Sequence, residues 1–476
     1  MSRHNKTKKS GIKKRGKRSR KRHIGKHFSV TKSVRNEIHD LPGLLFKLPS
    51  RQFNGYVNIP NTQKYIHYWF IESEEDPANA PLLFWTNGGP GCSGMIALFE
   101  EFGPMRPNKK LQLEYNKFSW TKFANIVFIE QPAGVGFSYS KDKKDYKTND
   151  RIAAKDNLQV TLEFLKLFPE YSKNPLYLTS ESYGGHYIPM WACEVIDHNK
   201  DPTNCFKINL KGLVIGNPYL DYLTGVQLES YWQRQIISYA DWKKYKKRGC
   251  NSGSLKKYRA KNCDFHGFLI RSNVGKLNPY ALDYSPCGSH QQHVLINRLT
   301  TRKKKQIVTK YDSCIESYTK KYLNLKSVQK ALNVKKTHWG TCTRKIDYKF
   351  SDHYINMKKY FDKIFNDKTV KDMQILIFSG NDDSICSTVG TQKWLATLER
   401  TSISNTYKWR PYSVYKKTAG YISKFKSRSG NTELTFATVN GAGHEVPMYK
   451  PIESFHLIKY FLNKENKLKP LKLKWQ

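Results

Sequence analysis

The sequence predicts an α/β fold, a mixed and mostly parallel central sheet carrying a helical insertion, and three observations predict it. Strand-like apolar runs alternate with helical periodicity through the first half of the chain. That rhythm fails between about Asp221 and Asp347 and resumes at Met373-Gln-Ile-Leu-Ile-Phe. A serine, an acid and a histidine, each in a turn just past a strand, then follow in the order Ser182, Asp383, His444. That chain order is the one found in the α/β-hydrolase fold.

The elements justify themselves in turn. Phe53-Asn-Gly-Tyr-Val-Asn-Ile and Tyr65-Ile-His-Tyr-Trp-Phe-Ile-Glu mix aromatic and β-branched residues around Pro60-Asn61, the pattern of an antiparallel hairpin. Pro81-Leu-Leu-Phe-Trp-Thr is a short apolar run that stops at Asn87-Gly-Gly-Pro-Gly. Asn125-Ile-Val-Phe-Ile-Glu, Leu176-Tyr-Leu-Thr and Leu210-Lys-Gly-Leu-Val-Ile-Gly are further buried strands. Thr148-Asn149-Asp150 opens a helix whose apolar positions Ile152, Leu158, Leu162, Leu165 and Phe168 recur at mostly helical spacing, and it ends before Pro169. The stretch 221–347 is rich in Lys, Tyr and Asn, poor in strand signals, and reads as a mainly helical cap bearing disulfides. The predicted division is a basic disordered arm over 1–35, hydrolase core over 36–220 and 348–463, the cap over 221–347 between them, and a basic extension over 464–476.

The chain has 476 residues and a formal net charge of +43. Residues 1–27 hold thirteen Lys or Arg and no acid. Such a block buries nothing to offset its ordering entropy and stays solvated. It reads either as an arm for nucleic acid or another polyanion, or as one end of a lysine bias spread through the body. No apolar run approaches the roughly 20 residues of a membrane span. The first 40 residues also lack the apolar core of a secretory signal. The nine cysteines pull the other way, because they form no Cys-x-x-Cys pairs and suit disulfides in an oxidising compartment. The basic arm points instead to a nucleoprotein-rich setting, and the sequence leaves both open, as it does the oligomeric state.

Ser182 lies in Ser180-Glu-Ser-Tyr-Gly, between a strand and a helix-like run, which is the setting of a nucleophile elbow. A serine hydroxyl is a weak nucleophile and needs an adjacent base, which His444 in Gly441-Ala-Gly-His-Glu supplies. Asp383, in Gly380-Asn-Asp-Asp, follows a buried strand and would orient that histidine. Gly89, in Asn87-Gly-Gly-Pro-Gly, and Tyr183 would aim backbone N–H groups at a developing oxyanion. Each motif alone also fits an ordinary loop; their order and placement together favour the chemistry. That chemistry calls for no metal or organic cofactor.

Five segments carry a resemblance: Trp85-Thr-Asn-Gly-Gly-Pro-Gly-Cys-Ser, Glu130-Gln-Pro-Ala-Gly-Val-Gly-Phe-Ser-Tyr-Ser, Glu181-Ser-Tyr-Gly-Gly-His-Tyr-Ile-Pro, Gly216-Asn-Pro and Gly443-His-Glu-Val-Pro. From about Leu41 to Phe461 the chain resembles the serine carboxypeptidases. The resemblance implies a serine-type carboxypeptidase that acts on peptides or proteins with a free C-terminus and is favoured at acidic pH. It places recognition of the substrate's terminal carboxylate on Asn87, Glu181 and, by spacing, Glu101. It implies disulfides Cys92–Cys342, Cys250–Cys263 and Cys287–Cys314, with Cys386 a free thiol near the site. Cys193 and Cys205 have no assigned partner, and pairing with each other is left open. The alternatives are an acyltransferase with the same triad and a catalytically idle, polyanion-binding hydrolase fold. Ser180 and Asn381 depart from the usual Gly and Asp, and the one Asn-x-Ser/Thr sequon, at Asn5, falls inside the basic arm.

Overall fold

The structure is a computed structural model that describes residues 35–222, 224–225, 227–251, 254–287 and 311–463. The polybasic arm with its Asn5 sequon, and the extension 464–476, lie outside the described residues.

A 12-stranded sheet forms the centre. Six neighbouring strands run parallel, in the order Asn125–Glu130, Leu82–Thr86, Leu176–Glu181, Leu210–Gly216, Met373–Gly380, Thr432–Val439. Antiparallel strands flank them: Lys64–Ile71, Gln52–Asn58 and Asn36–Glu37 on one side, Lys417–Ser427 and Ile403–Val414 on the other, and the short Tyr139–Ser140 pairs with Lys64–Ile71 off this path. Residues Leu82–Thr86 and Asn125–Glu130 are buried throughout, because helices cover both faces of a parallel centre.

Strand periodicity sorts these runs into two cores. Leu82, Phe84, Ile375 and Ile377 face one cluster, which the helices Asp150–Leu167 and Gly184–Lys200 close with Phe164, Ile188 and Trp191. Their neighbours Leu83, Trp85, Leu376 and Phe378 face the other, with Phe102, Trp120, Ile458 and Phe461. The Asn149 side chain caps the first helix by accepting from Ile152 N at 3.0 Å.

The cap splits in two. Helices Gln227–Gln233, Tyr239–Lys247 and Cys263–Arg271 share a small cluster of their own, with Leu228, Tyr231, Trp242 and Tyr245. The helices Ile315–Leu323 and Lys326–Ala331 instead send Tyr322, Leu323 and Val328 into the second core of the hydrolase body. Cys92 is joined to Cys342, Cys250 to Cys263 and Cys287 to Cys314. Cys193 and Cys205, whose pairing the sequence leaves open, are both free, Cys193 buried with its thiol against the Tyr360 carbonyl and Cys205 exposed. Among the described residues no helix is long and apolar enough to cross a membrane.

Candidate active site

The strand Leu176–Glu181 ends beneath Ser182, and the helix beginning at Gly184 leaves from it. Ser182 itself takes φ +58°, a left-handed conformation that a non-glycine residue adopts only under constraint. Ser182 N donates to the Gly216 carbonyl at 3.0 Å, and the Ser182 carbonyl accepts from Tyr219 N at 2.8 Å. A Cβ on Gly184 would fall 1.9 Å from Ser180 Oγ, so glycine is required there and the small Ser180 fits below it.

The loop after Leu82–Thr86 comes up against this turn. A Cβ on Gly88 would lie 2.5 Å from Tyr183 N and 2.8 Å from Ser182 Cβ, so only a bare backbone can pass. The same loop is tied down behind the site. Besides the Cys92–Cys342 bond, Thr343 N donates to the Gly91 carbonyl at 3.0 Å, and Ser93 and Trp339 Nε1 both donate to buried Glu130.

Asp383 and His444 meet from two neighbouring strand ends. Asp383 Oδ2 accepts from His444 Nδ1 at 2.6 Å, from Asn217 Nδ2 at 2.8 Å and from Cys386 N at 3.2 Å, while Oδ1 accepts from Ile385 N at 2.7 Å. A carboxylate in that position accepts from Nδ1–H, so the neutral ring carries its lone pair on Nε2. His444 Nε2 has no hydrogen-bond partner, and His444 and Ser182 line the same cleft, of about 420 Å³. Burial lowers the imidazole, but the charge of Asp383 and its hydrogen bond, with Glu445 and Glu101, outweigh it and raise His444 to about 9. Asp382 turns away, to Arg234 of the cap and to Asp283 N. The Ser182 hydroxyl touches the Cys386 thiol, which burial and the charge of Asp383 push far up, so it stays protonated.

Beside the serine, Asn87, Glu101 and Glu181 form one cluster. Trp85 Nε1 donates to Asn87 Oδ1 at 2.8 Å, which fixes the amide and aims Nδ2 at Glu101 Oε1 (3.0 Å) and Glu181 Oε1 (2.8 Å). Burial and the repulsion of Glu445 push Glu101 up to about 8, and burial with the charges of Glu101 and Glu445 pushes Glu181 well above the carboxyl range. As two carboxylates neither glutamate could donate, and Glu101 Oε2 would stay buried without a partner. One shared proton satisfies both.

Sequence reasoning missed three neighbours. Glu445 and Glu100 line the cleft, and Tyr280 of the cap packs its ring edge-on to His444 at 5.2 Å while its carbonyl accepts from His444 N at 2.7 Å. Glu445 stood inside the Gly-His-Glu-Val-Pro segment, but nothing in the sequence gives Tyr280 a role. Asn217 was visible in Gly-Asn-Pro, without its partner Asp383. Among the described residues no group of three or more His, Cys, Asp or Glu is arranged to hold a metal ion.

A family model described as serine carboxypeptidase matches residues 42–464. Serine carboxypeptidase 24 of Arabidopsis thaliana is 34% identical over 455 residues, covering 91% of this chain and 93% of that protein. The lysosomal protective protein of Mus musculus is 33% identical over 464 residues, covering 90% and 94%. In structure the chain is similar to Kex1 of Saccharomyces cerevisiae, a prohormone-processing carboxypeptidase, with a TM-score of 0.70 at 22% identity over 90% of this chain and 94% of that one.

Proposed function

The chain belongs to the serine carboxypeptidase family and is a serine-type peptidase, and from that premise we propose that it releases C-terminal residues through an acyl-enzyme on Ser182. Ser182 Oγ attacks the last peptide carbonyl and passes its proton to His444 Nε2, with Asp383 holding the other ring nitrogen. The N–H groups of Gly89 and Tyr183 receive the oxyanion. His444 returns the proton to the departing amino group, and water then frees the acyl chain. The observation that carries this reading is the Asn87–Glu101–Glu181 cluster beside the serine. A protonated carboxyl can donate to a carboxylate, so the cluster suits a free chain end. The same cluster favours exopeptidase over acyl transfer to a small acceptor.

Asn87→Ala tests it. The substitution removes the donor to both glutamates and the acceptor of Trp85. We expect kcat/KM for a blocked dipeptide to fall about a hundredfold, the worth of one to two charge-assisted hydrogen bonds. Hydrolysis of a small uncharged ester should fall far less. An equal loss on both substrates would assign Asn87 to the general integrity of the loop.

The pH dependence follows from the raised carboxyls. Below about 8 Glu101 keeps its proton and the pair can donate; above it Glu101 is a carboxylate and repels the substrate's terminus. Each proton taken up by Glu101 or Glu445 also removes a charge that raises His444, which lowers the pH at which the base is free. Peptidase kcat/KM should therefore decline as pH rises toward and through about 8, chiefly through KM. A steady climb between about pH 5 and 8 would contradict the assignment. The disulfides and the likeness to a lysosomal relative support an oxidising, acidic setting for this activity.

A further inference from the structure

The helix Cys263–Arg271 is apolar on two sides. Its inner side carries Cys263 and Gly267; a Cβ on Gly267 would meet Arg271 Nη1 at 3.1 Å and Leu228 Cδ1 at 3.6 Å, so the helix sits close on Gln227–Gln233. Its outer side carries Phe265, Phe268 and Leu269, 50%, 59% and 44% exposed. Spaced i, i+3, i+4, they form one stripe. No other five-residue stretch of the described chain exposes three large apolar side chains.

The stripe has a cationic border. The Cys250–Cys263 disulfide ties the start of this helix to the chain just past the end of Tyr239–Lys247, and Leu269 lines a cleft of about 590 Å³ with Lys244, Lys247 and Arg248. None of these three cations is in an ion pair among the described residues. The acid in the cleft, Asp241, accepts from Ser238 at the start of its own helix.

We propose that this face of the cap docks on an anionic lipid surface, with the stripe in the apolar boundary and the cations against the headgroups. Exposed apolar surface needs an apolar acceptor, and unpaired cations need anions; a bilayer rich in acidic lipid offers both in one plane. A second copy of this chain would instead oppose two cationic faces. None of the stripe or cation residues lines the Ser182 cleft.

The test is sedimentation of the full chain with phosphatidylcholine vesicles, with and without phosphatidylserine. Binding should require the acidic lipid and weaken as salt rises. Lys244→Gln, Lys247→Gln and Arg248→Gln together should weaken it about a hundredfold. Phe265→Ser, Phe268→Ser and Leu269→Ser together should weaken it at least about tenfold, while hydrolysis of a small ester is unchanged, which shows that the fold is intact. Undiminished binding by the serine variant would assign the interaction to charge alone, on the basic arm or elsewhere, and overturn the proposal. So would a failure of the full chain to bind acidic vesicles, or equal loss of heparin binding in the glutamine variant with no effect of the serine variant on either ligand.

Discussion

Ser182→Ala should reduce kcat by about 10⁶, to the residue of catalysis left by binding and the oxyanion site. The size follows from the proposed role: Oγ forms the acyl C–O bond as the C–N bond to the departing residue breaks, and is itself the leaving group when water attacks. Cys386 touches Ser182, but its thiol is held protonated by burial and by Asp383. Stability should change little, within about 0.5 kcal/mol, because the hydroxyl's contact is with that thiol and the turn is held through backbone hydrogen bonds to Gly216 and Tyr219. Binding of a peptide with a free terminus should survive, since Asn87, Glu101 and Glu181 are untouched. Combining the change with His444→Ala should cost scarcely more than either alone, because the two act as one unit. A multiplicative loss in the double variant would show that they do not.

Asp383→Ala should cost about 10⁴ in kcat. Its carboxylate gathers four donors, His444 Nδ1, Asn217 Nδ2, Ile385 N and Cys386 N. Removing it takes away the partner that fixes the ring and its tautomer, and strips the imidazolium of the charge that stabilises it. It also leaves buried N–H groups without acceptors, at roughly 1–3 kcal/mol each, so here the melting temperature should fall as well. The distinguishing readout is the imidazole itself. His444, raised to about 9 by Asp383 and the nearby glutamates, should titrate far lower in the variant, because burial then acts with less opposition. An unchanged His444 titration would remove Asp383 from its orienting role.

The residues proposed for catalysis sit in short contiguous segments, and those segments were readable. The Ser182 turn demands small residues at fixed offsets because strand, helix and the Gly88 loop converge there at van der Waals distance. The parallel strands were readable because burial on both faces makes them continuous apolar runs. The hairpin Ile403–Val414 and Lys417–Ser427 was not expected. It is the sheet's edge, its outer strand carries exposed Lys408, Arg410 and Pro411, and such edge residues erase the alternation that would announce a strand. Tyr280 was invisible for another reason. Its approach to His444 depends on how the cap folds back over the body, and no local pattern encodes a contact between residues 164 positions apart.

The central claim is recognition of a free chain end by a serine nucleophile. One paired measurement tests it most directly: release of the C-terminal residue from a blocked dipeptide and from its C-terminal amide, followed by mass spectrometry at acidic pH, with Ser182→Ala as control. We expect release from the free acid, at least about a hundredfold slower cleavage of the amide, and none above background in the control. Equal cleavage of acid and amide, or cleavage that survives Ser182→Ala, would contradict it.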